Sequence, residues 1–163
     1  MKEQTVCFTG HRRISLEEYK IISQRLEKEI IVSINNGYRF FGAGGALGFD
    51  TLAARTVLKL KRVYPNIRLI LVLPCKNQTL GWRYEDVQEY ERIKSLADKV
   101  VYVSNNYYKG CMQKRNRYLV NNSSLCICYL YDSTGGTFYT TEYAKKKGLI
   151  VINVAEKASI LKK

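Results

Sequence analysis

The sequence predicts an α/β protein with a Rossmann-like, doubly wound sheet of about six mostly parallel strands and helices on both faces. Three observations favour this class. Short apolar runs alternate with helical periods along the chain, which is typical of parallel strands joined by helices. The run at 67–73 is apolar and ends at Pro74, as expected for a central strand covered on both faces. Glycine-bearing loops follow three of the runs.

The first half of the chain is predicted to contain three strands and two helices. Residues 4–9 form the first strand. Apolar side chains recur every three to four positions over 16–36, which predicts an amphipathic helix with Ser15 as its N-cap and Gly37 after its end. The next elements are a strand at 38–43, a helix at 46–64 that stops before Pro65, and a strand at 67–73.

The second half repeats the same alternation of helix and strand. Its predicted elements are helices at 83–97, 112–121 and 138–147 and strands at 99–103, 125–131 and 149–154. No linker or change of composition divides the chain, so residues 1–155 are predicted to form a single domain. Residues 156–163 are predicted to be a short basic tail.

Composition and length limit the class of protein further. At 163 residues the chain suits one domain with a hydrophobic core. It contains nothing close to the roughly 18 consecutive apolar residues of a membrane helix, and its start resembles a strand rather than a secretion signal. We therefore expect a cytoplasmic protein without a membrane partner. The odd number of cysteines fits that compartment, and Cys126 and Cys128 are expected to be buried and reduced.

The charge is the strongest compositional signal, with 27 Lys and Arg against 14 Asp and Glu. Such an excess favours nucleic-acid binding, because phosphate backbones attract basic surfaces. The basic residues are spread along the chain, however, and most fall on solvent faces or near helix C-termini, where cations are favoured anyway. Nucleic-acid binding is therefore the less favoured partner prediction.

Glycine-bearing loops at 9–12, 42–50 and 134–137 each follow a strand and lead into a helix. Glycine lets the backbone approach an anion, and a helix N-terminus offers N–H groups with partial positive charge. Because ligands of open α/β sheets bind at the carboxyl ends of the strands, these loops predict a site for a phosphate-bearing ligand. The predicted ligand-binding residues are Thr9, Gly10, His11, Arg12, Gly44, Gly45, Gly48, Asp50, Pro74, Trp82, Arg115, Asn116, Gly135, Gly136 and Thr137.

Several of these residues have more than one interpretation. Asp50 either complements the dipole of its helix or accepts hydrogen bonds from a ribose diol. His11 contacts a ligand or caps backbone groups, and as the sole histidine it does not predict a metal site. Trp82 either stacks on a base or covers the sheet edge. Arg115 either faces the cleft or is an ordinary surface arginine.

The motifs together resemble the SLOG superfamily, and most closely its YpsA-like branch, the DUF1273 family. The matching segments are Thr-Gly-His-Arg at 9–12, Gly-Gly-Ala-Leu-Gly-Phe-Asp at 44–50, Met-x-x-Arg-Asn at 112–116 and Gly-Gly-Thr at 135–137. The resemblance implies a bacterial or phage protein that binds a nucleotide (ADP-ribose, NAD or AMP-like) as a sensor or adaptor. It implies no required cofactor, and it makes a homo-oligomer or an unidentified protein partner further expectations.

Two more distant relatives imply other functions. The LOG phosphoribohydrolases carry Pro-Gly-Gly-x-Gly-Thr-x-x-Glu, which resembles residues 134–142 except that Phe138 and Tyr139 replace Gly-Thr. In that alternative Glu142 and Arg115 are catalytic, with Glu142 assisting water in the hydrolysis of the N-glycosidic bond of a nucleoside 5′-monophosphate. The other relative, DprA, binds single-stranded DNA, and this function would suit the positive charge.

Overall fold

The computed structural model describes residues 1–155, in which six strands alternate with five helices. A short 3-10 turn at Lys2–Gln4 precedes the first strand. The strands are β1 (Thr5–Gly10), β2 (Phe40–Ala43), β3 (Arg68–Leu73), β4 (Lys99–Tyr102), β5 (Leu125–Tyr129) and β6 (Ile150–Asn153). The helices are α1 (Leu16–Asn35), α2 (Phe49–Lys61), α3 (Tyr84–Leu96), α4 (Cys111–Asn121) and α5 (Gly135–Lys146).

All strand pairs of the sheet are parallel, in the order β4-β3-β2-β1-β5-β6. The first strand is central, because Val6 is in register with Phe41 of β2 on one side and with Leu125 of β5 on the other. The chain therefore builds the sheet outward from β1 to β4, crosses back through α4, and continues outward from β5. This arrangement confirms the predicted Rossmann-like class and places the topological switch point between β1 and β5.

Each face of the sheet has its own hydrophobic core. Helices α1, α2 and α3 cover one face, where Phe8, Phe41 and Phe49 are fully buried, and each such side chain contributes about 1.5–3 kcal/mol by leaving water. Helices α4 and α5 cover the other face, where the side chains are smaller and include three cysteines, among them Cys126 and Cys128. The predicted burial of these two thiols is confirmed.

Two helices start three residues away from the predicted position, both at glycines. Helix α2 begins at Phe49 rather than at residue 46, because Gly48 has a φ of 81° that a helix cannot contain. Helix α5 begins at Gly135, three residues before the predicted start. The sequence could not reveal this start, because the first two residues of α5 are glycines, which have no side chain and therefore show no helical periodicity. As a result, α5 starts closer to the sheet edge than expected.

No helix in the described part of the chain is long and apolar enough to cross a membrane. The predicted basic tail at 156–163 lies outside the described residues.

Candidate functional site

A cleft of about 310 Å³ opens at the carboxyl edge of the sheet, at the switch point between β1 and β5. The loops after β1, β2 and β5 and the first turns of α4 and α5 line it. The structure thus brings together most of the residues that the sequence predicted as ligand contacts. The lining residues are Thr9, Gly10, His11, Arg12, Ala46, Asp50, Met112, Arg115, Asn116, Thr134, Gly135, Gly136 and Thr137.

Arg115 of α4 lies at the floor of the cleft and is only 4% exposed. Its Nη1 donates a hydrogen bond to the carbonyl oxygen of Gly44, and its Nε donates to Oδ1 of Asn116 at 2.8 Å. Arg115 forms no ion pair with a carboxylate among residues 1–155. Burial lowers the pKa of Arg115 and nearby Asp50 opposes this shift, but a guanidinium stays charged. A buried cation whose hydrogen-bond partners are all neutral favours a further anion beside it.

Asp50 in the first turn of α2 is also buried, with 7% of its surface exposed. Its Oδ2 accepts a hydrogen bond from the backbone N–H of Ala46 at 3.2 Å, which closes the turn before the helix. Burial raises the pKa of Asp50, and the charges of Arg115 and Arg12 oppose this shift. The carboxylate therefore has a structural contact as well as a position on the cleft wall.

The glycines of the first two loops are required by protein contacts rather than by space for a ligand. A Cβ at Gly44 would lie 2.6 Å from the Arg115 guanidinium, and one at Gly48 would lie 2.2 Å from the carbonyl oxygen of Arg12. A Cβ at Gly10 would lie 2.4 Å from the Phe49 ring. These glycines let the two loops pack directly on each other. The loops then hold Arg115 and Arg12 at fixed positions in the cleft.

The third loop differs, because its glycines face open space. A Cβ at Gly135 or Gly136 would have no neighbour within 4 Å. The N-cap Thr134 makes no side-chain capping hydrogen bond, and the first turn of α5 has no acidic residue. The N–H groups of this turn therefore lack intrahelical partners and carry the positive end of the helix dipole. This turn can receive an anion with little steric hindrance.

His11 connects the cleft to the core on its β5 side. Its backbone N–H donates to the carbonyl oxygen of Tyr129 and its own carbonyl accepts from the N–H of Phe49, both at 3.2 Å. Its ring lies 4.1 Å from the ring of Tyr131, and its Nε2 is buried without a hydrogen-bond partner in the described residues. Burial lowers the pKa of His11, and the charge of Asp132 opposes this shift. No group of three potential metal-ligating side chains occurs within residues 1–155.

Several predicted site residues lie outside the cleft. Trp82 packs edge-on against Tyr90, with ring centroids 5.5 Å apart. Glu142 is half exposed on α5 and pairs with Lys145 at 3.4 Å. Gly45 packs against Leu73, and buried Pro74 does not line the cleft either. Of the lining residues that were not predicted, Ala46 and Met112 stand in the matching segments at 44–50 and 112–116, so these motifs were the sequence signal that could have identified them.

Comparison with known proteins identifies relatives that share this domain. The YpsA family model, described as the YspA SLOG family, matches residues 6–150. UPF0398 protein BH1768 of Halalkalibacterium halodurans is 34% identical over 129 residues, which cover 77% of this chain and 68% of that protein. The SPbeta prophage-derived protein YoqJ of Bacillus subtilis is 33% identical over 130 residues, covering 72% of this chain and 75% of the relative.

Two solved structures share the fold at lower identity. DNA processing protein A (DprA) of Streptococcus pneumoniae superposes with a TM-score of 0.66 at 18% identity, over 92% of this chain and 50% of that one. The corresponding protein of Helicobacter pylori gives 0.65 at 21% identity, over 92% and 64% respectively. This chain thus spans about half to two thirds of those proteins. The family model matches nearly the whole chain and includes every loop that lines the cleft. The protein therefore belongs to the YspA SLOG family.

Proposed function

We propose that the protein is a cytoplasmic nucleotide-binding domain that acts as a sensor or adaptor. Its ligand is an ADP-ribose-, NAD- or AMP-like molecule whose phosphate lies between Arg115 and the first turn of α5. The observation that carries this proposal is the buried Arg115 guanidinium, which has no carboxylate partner among residues 1–155. A phosphate would add negative charge to that of nearby Asp50, which makes no ion pair with Arg115, and would accept charge-assisted hydrogen bonds.

The rest of the cleft supports a phosphate in particular. Arg12 and Arg115 contribute two positive charges against the single carboxylate of Asp50. The open backbone at Gly135 and Gly136 lets phosphate oxygens reach the N–H groups of α5. Asp50 also lines the cleft, and a carboxylate there favours a ribose diol over a second phosphate. The cleft is therefore suited to the sugar-phosphate part of a nucleotide.

The same geometry favours binding over N-glycoside hydrolysis. The hydrolytic alternative needs Glu142 near the sugar, but Glu142 is half exposed, is paired with Lys145 and does not line the cleft. A general base must lie within hydrogen-bond reach of the water that it activates. Our proposal for this site therefore gives the Glu142 carboxylate no role and includes no required cofactor.

Isothermal titration of the protein with AMP, NAD, ADP-ribose and ribose 5-phosphate tests the proposal. Loss of a charge-assisted hydrogen bond costs about 1.5–3 kcal/mol, so Arg115→Met should weaken phosphate binding roughly ten- to hundredfold. Arg62→Met is the matched control, because Arg62 is exposed at the far end of α2. Absence of binding to all four compounds, or equal affinity for the two variants, would contradict the proposal.

A second candidate function, binding of single-stranded nucleic acid, is favoured by the surface around the cleft. Tyr84, Tyr107 and Tyr131 are 73%, 60% and 56% exposed at this edge of the sheet. Arg12 and Arg13 are also exposed there, and the hydroxyl of Tyr131 donates to the carbonyl oxygen of Arg13 at 3.4 Å. Aromatic rings interspersed with cations form typical platforms for single strands. The Helicobacter pylori structure was described for its single-stranded DNA binding mode. The net charge of +13 acts in the same direction.

Fluorescence anisotropy of a labelled thymidine oligonucleotide distinguishes this second function. Binding through several phosphates requires that the logarithm of affinity fall linearly and steeply with the logarithm of salt concentration. If the protein binds only nucleotides in the cleft, its affinity for the oligonucleotide should depend little on salt concentration and should be undetectable at physiological salt.

A further inference from the structure

A buried polar cluster lies on the far side of the Gly44–Ala46 turn from Arg115. Gln78, in the segment between β3 and α3, is 8% exposed, and neither Oε1 nor Nε2 of its carboxamide has a hydrogen-bond partner among residues 1–155. The hydroxyl of Tyr90 on α3 is likewise buried and unpartnered in that range. Buried polar atoms are nearly always paired in native proteins, so three such atoms in one place indicate a ligand-binding function.

The cluster shares a wall with the cleft. A Cβ at Gly45 would lie 3.5 Å from Oε1 of Gln78 and 3.4 Å from the Tyr90 ring. Gly44, the preceding residue, accepts the hydrogen bond of Arg115 from the cleft side. One turn of backbone thus separates the Gln78 carboxamide from the proposed phosphate site. The Trp82 ring packs edge-on against Tyr90 and forms the outer side of the cluster.

The chemistry of the cluster differs from that of the cleft. A carboxamide presents a donor and an acceptor side by side, and glutamine uses this pair to bind adenine at N6 and N7. Burial also raises the pKa of Tyr90, so its hydroxyl remains a donor. No arginine or carboxylate makes a hydrogen bond to Gln78 or Tyr90 in the described chain. Lys94 approaches only the Tyr90 ring, with its Nζ 5.4 Å from the ring centroid. A site made of a carboxamide and aromatic rings suits a nucleobase rather than a phosphate.

The distances across the sheet fit a nucleotide that contacts both sites. The ends of β5 and β3 are separated by three strand spacings of roughly 4.8 Å, or roughly 14 Å in total. A phosphate at the start of α5 and a base beside Gln78 therefore require an extended ligand with more than one phosphate or a second sugar. This indicates a nucleoside diphosphate or its sugar derivative rather than a nucleoside monophosphate.

We propose that Gln78, assisted by Tyr90, reads the edge of an adenine base in the nucleotide bound by the cleft, and so determines the base specificity of the site. This inference rests on the proposed nucleotide-binding function. The turn at 79–81 joins Gln78 to Trp82 and is closed by the backbone hydrogen bonds from Leu80 to Asn77 and from Trp82 to Thr79. The turn must move when the base enters, and Trp82 moves with it.

Titration of the full chain with ADP, GDP and ribose 5-phosphate tests this inference. Guanine presents two acceptors at the edge where adenine presents an acceptor and a donor, so wild type should bind ADP at least tenfold more tightly than GDP. Gln78→Met should reduce this preference to less than threefold and leave the affinity for ribose 5-phosphate unchanged. Gln88→Met is the matched control, because Gln88 is exposed on α3, and it should retain the wild-type preference.

The fluorescence of Trp82, the single tryptophan of the chain, gives an independent measurement. ADP should change its emission in wild type but not in Gln78→Met, and ribose 5-phosphate should change it in neither. An unchanged ADP preference in Gln78→Met, or equal binding of ADP and GDP by wild type, would overturn the assignment of Gln78 while the nucleotide site stands. Absence of binding even to ribose 5-phosphate would instead reject the proposed function and this inference with it.

Discussion

The Arg115 guanidinium rests directly on the backbone of Gly44, to whose carbonyl oxygen its Nη1 donates a hydrogen bond. A side chain at position 44 would enter the space that the guanidinium occupies, because a Cβ would lie 2.6 Å from Nη1. The conformation of the cation is therefore determined by the absence of a side chain on a neighbouring loop. Substitutions at Gly44 and at Gly136 distinguish the effect of this contact on ligand binding from the effect of the open backbone at the start of α5.

Gly44→Ala should displace Arg115, and so lower both the thermal midpoint and the affinity for ADP-ribose. Gly136→Ala should weaken ligand binding alone, because a Cβ there meets no protein atom but stands where the phosphate lies. Alanine also stabilises a helix by up to about 1 kcal/mol relative to glycine, so the thermal midpoint of Gly136→Ala should not fall. Differential scanning fluorimetry with and without ligand measures both effects. Normal affinity in Gly44→Ala would show that Arg115 does not need this contact.

Asp50→Asn should stabilise the protein at pH 7 while weakening its ligand binding. Because burial raises the pKa of Asp50 above its ordinary value of 3.8, the folded state favours the protonated carboxyl. The stabilising contribution of this group is therefore complete below that value and lost as pH rises through the folded-state pKa. We expect a thermal midpoint about 2–4 °C above wild type at pH 7. The difference should shrink toward pH 4, and a variant less stable than wild type at pH 7 would refute this account.

Glu89→Gln should have the opposite pH dependence. Hydrogen bonds from Arg92 and Arg55 lower the pKa of Glu89 from 4.5 to about 2. Its contribution to stability is thus present above 4.5 and lost as pH falls toward about 2. Because both arginines are about half exposed, the variant should lose only about 0.5–1 kcal/mol at pH 7. Urea denaturation at pH 7 and pH 3 measures the loss, which should be smaller at pH 3.

Glu142→Gln should leave ligand affinity unchanged, and neither it nor wild type should release a base from AMP. The Glu142 carboxylate is half exposed and its ion pair with Lys145 is also exposed, so the change in stability should be below about 0.5 kcal/mol. Chromatography of AMP after prolonged incubation detects turnover. Adenine produced by wild type and not by the variant would restore the hydrolytic alternative.

Much of the fold follows from periodicity, since each predicted strand and helix is present in residues 1–155. The strand order does not follow from it, because nothing in the sequence of α4 specifies that its chain crosses back to pair β5 with β1. The cleft was predictable where chemistry accompanied a glycine, as at His11 and Arg12. The roles of Gly44 and Gly48 were not, because they depend on contacts with residues distant in sequence.

Gln78 shows the limit of sequence reasoning most clearly. It lies in a polar loop segment with no motif, and only its burial without a hydrogen-bond partner in the described chain distinguishes it from other glutamines. Trp82, in contrast, is a candidate from sequence because an aromatic side chain in the loop after the third strand can stack on a base. Its ring packs on Tyr90 and meets the cleft only indirectly.

The central position of β1 has a consequence for biosynthesis. The strand is made first, but one of its two neighbours, β5, starts only at Leu125. Until then a growing chain can pair β1 with β2 alone, and the other edge of an apolar strand stays open to intermolecular pairing. Nascent chains that stall between β4 and β5 should therefore be prone to aggregation, and a split or truncated version of the protein should keep residues 5–129 together.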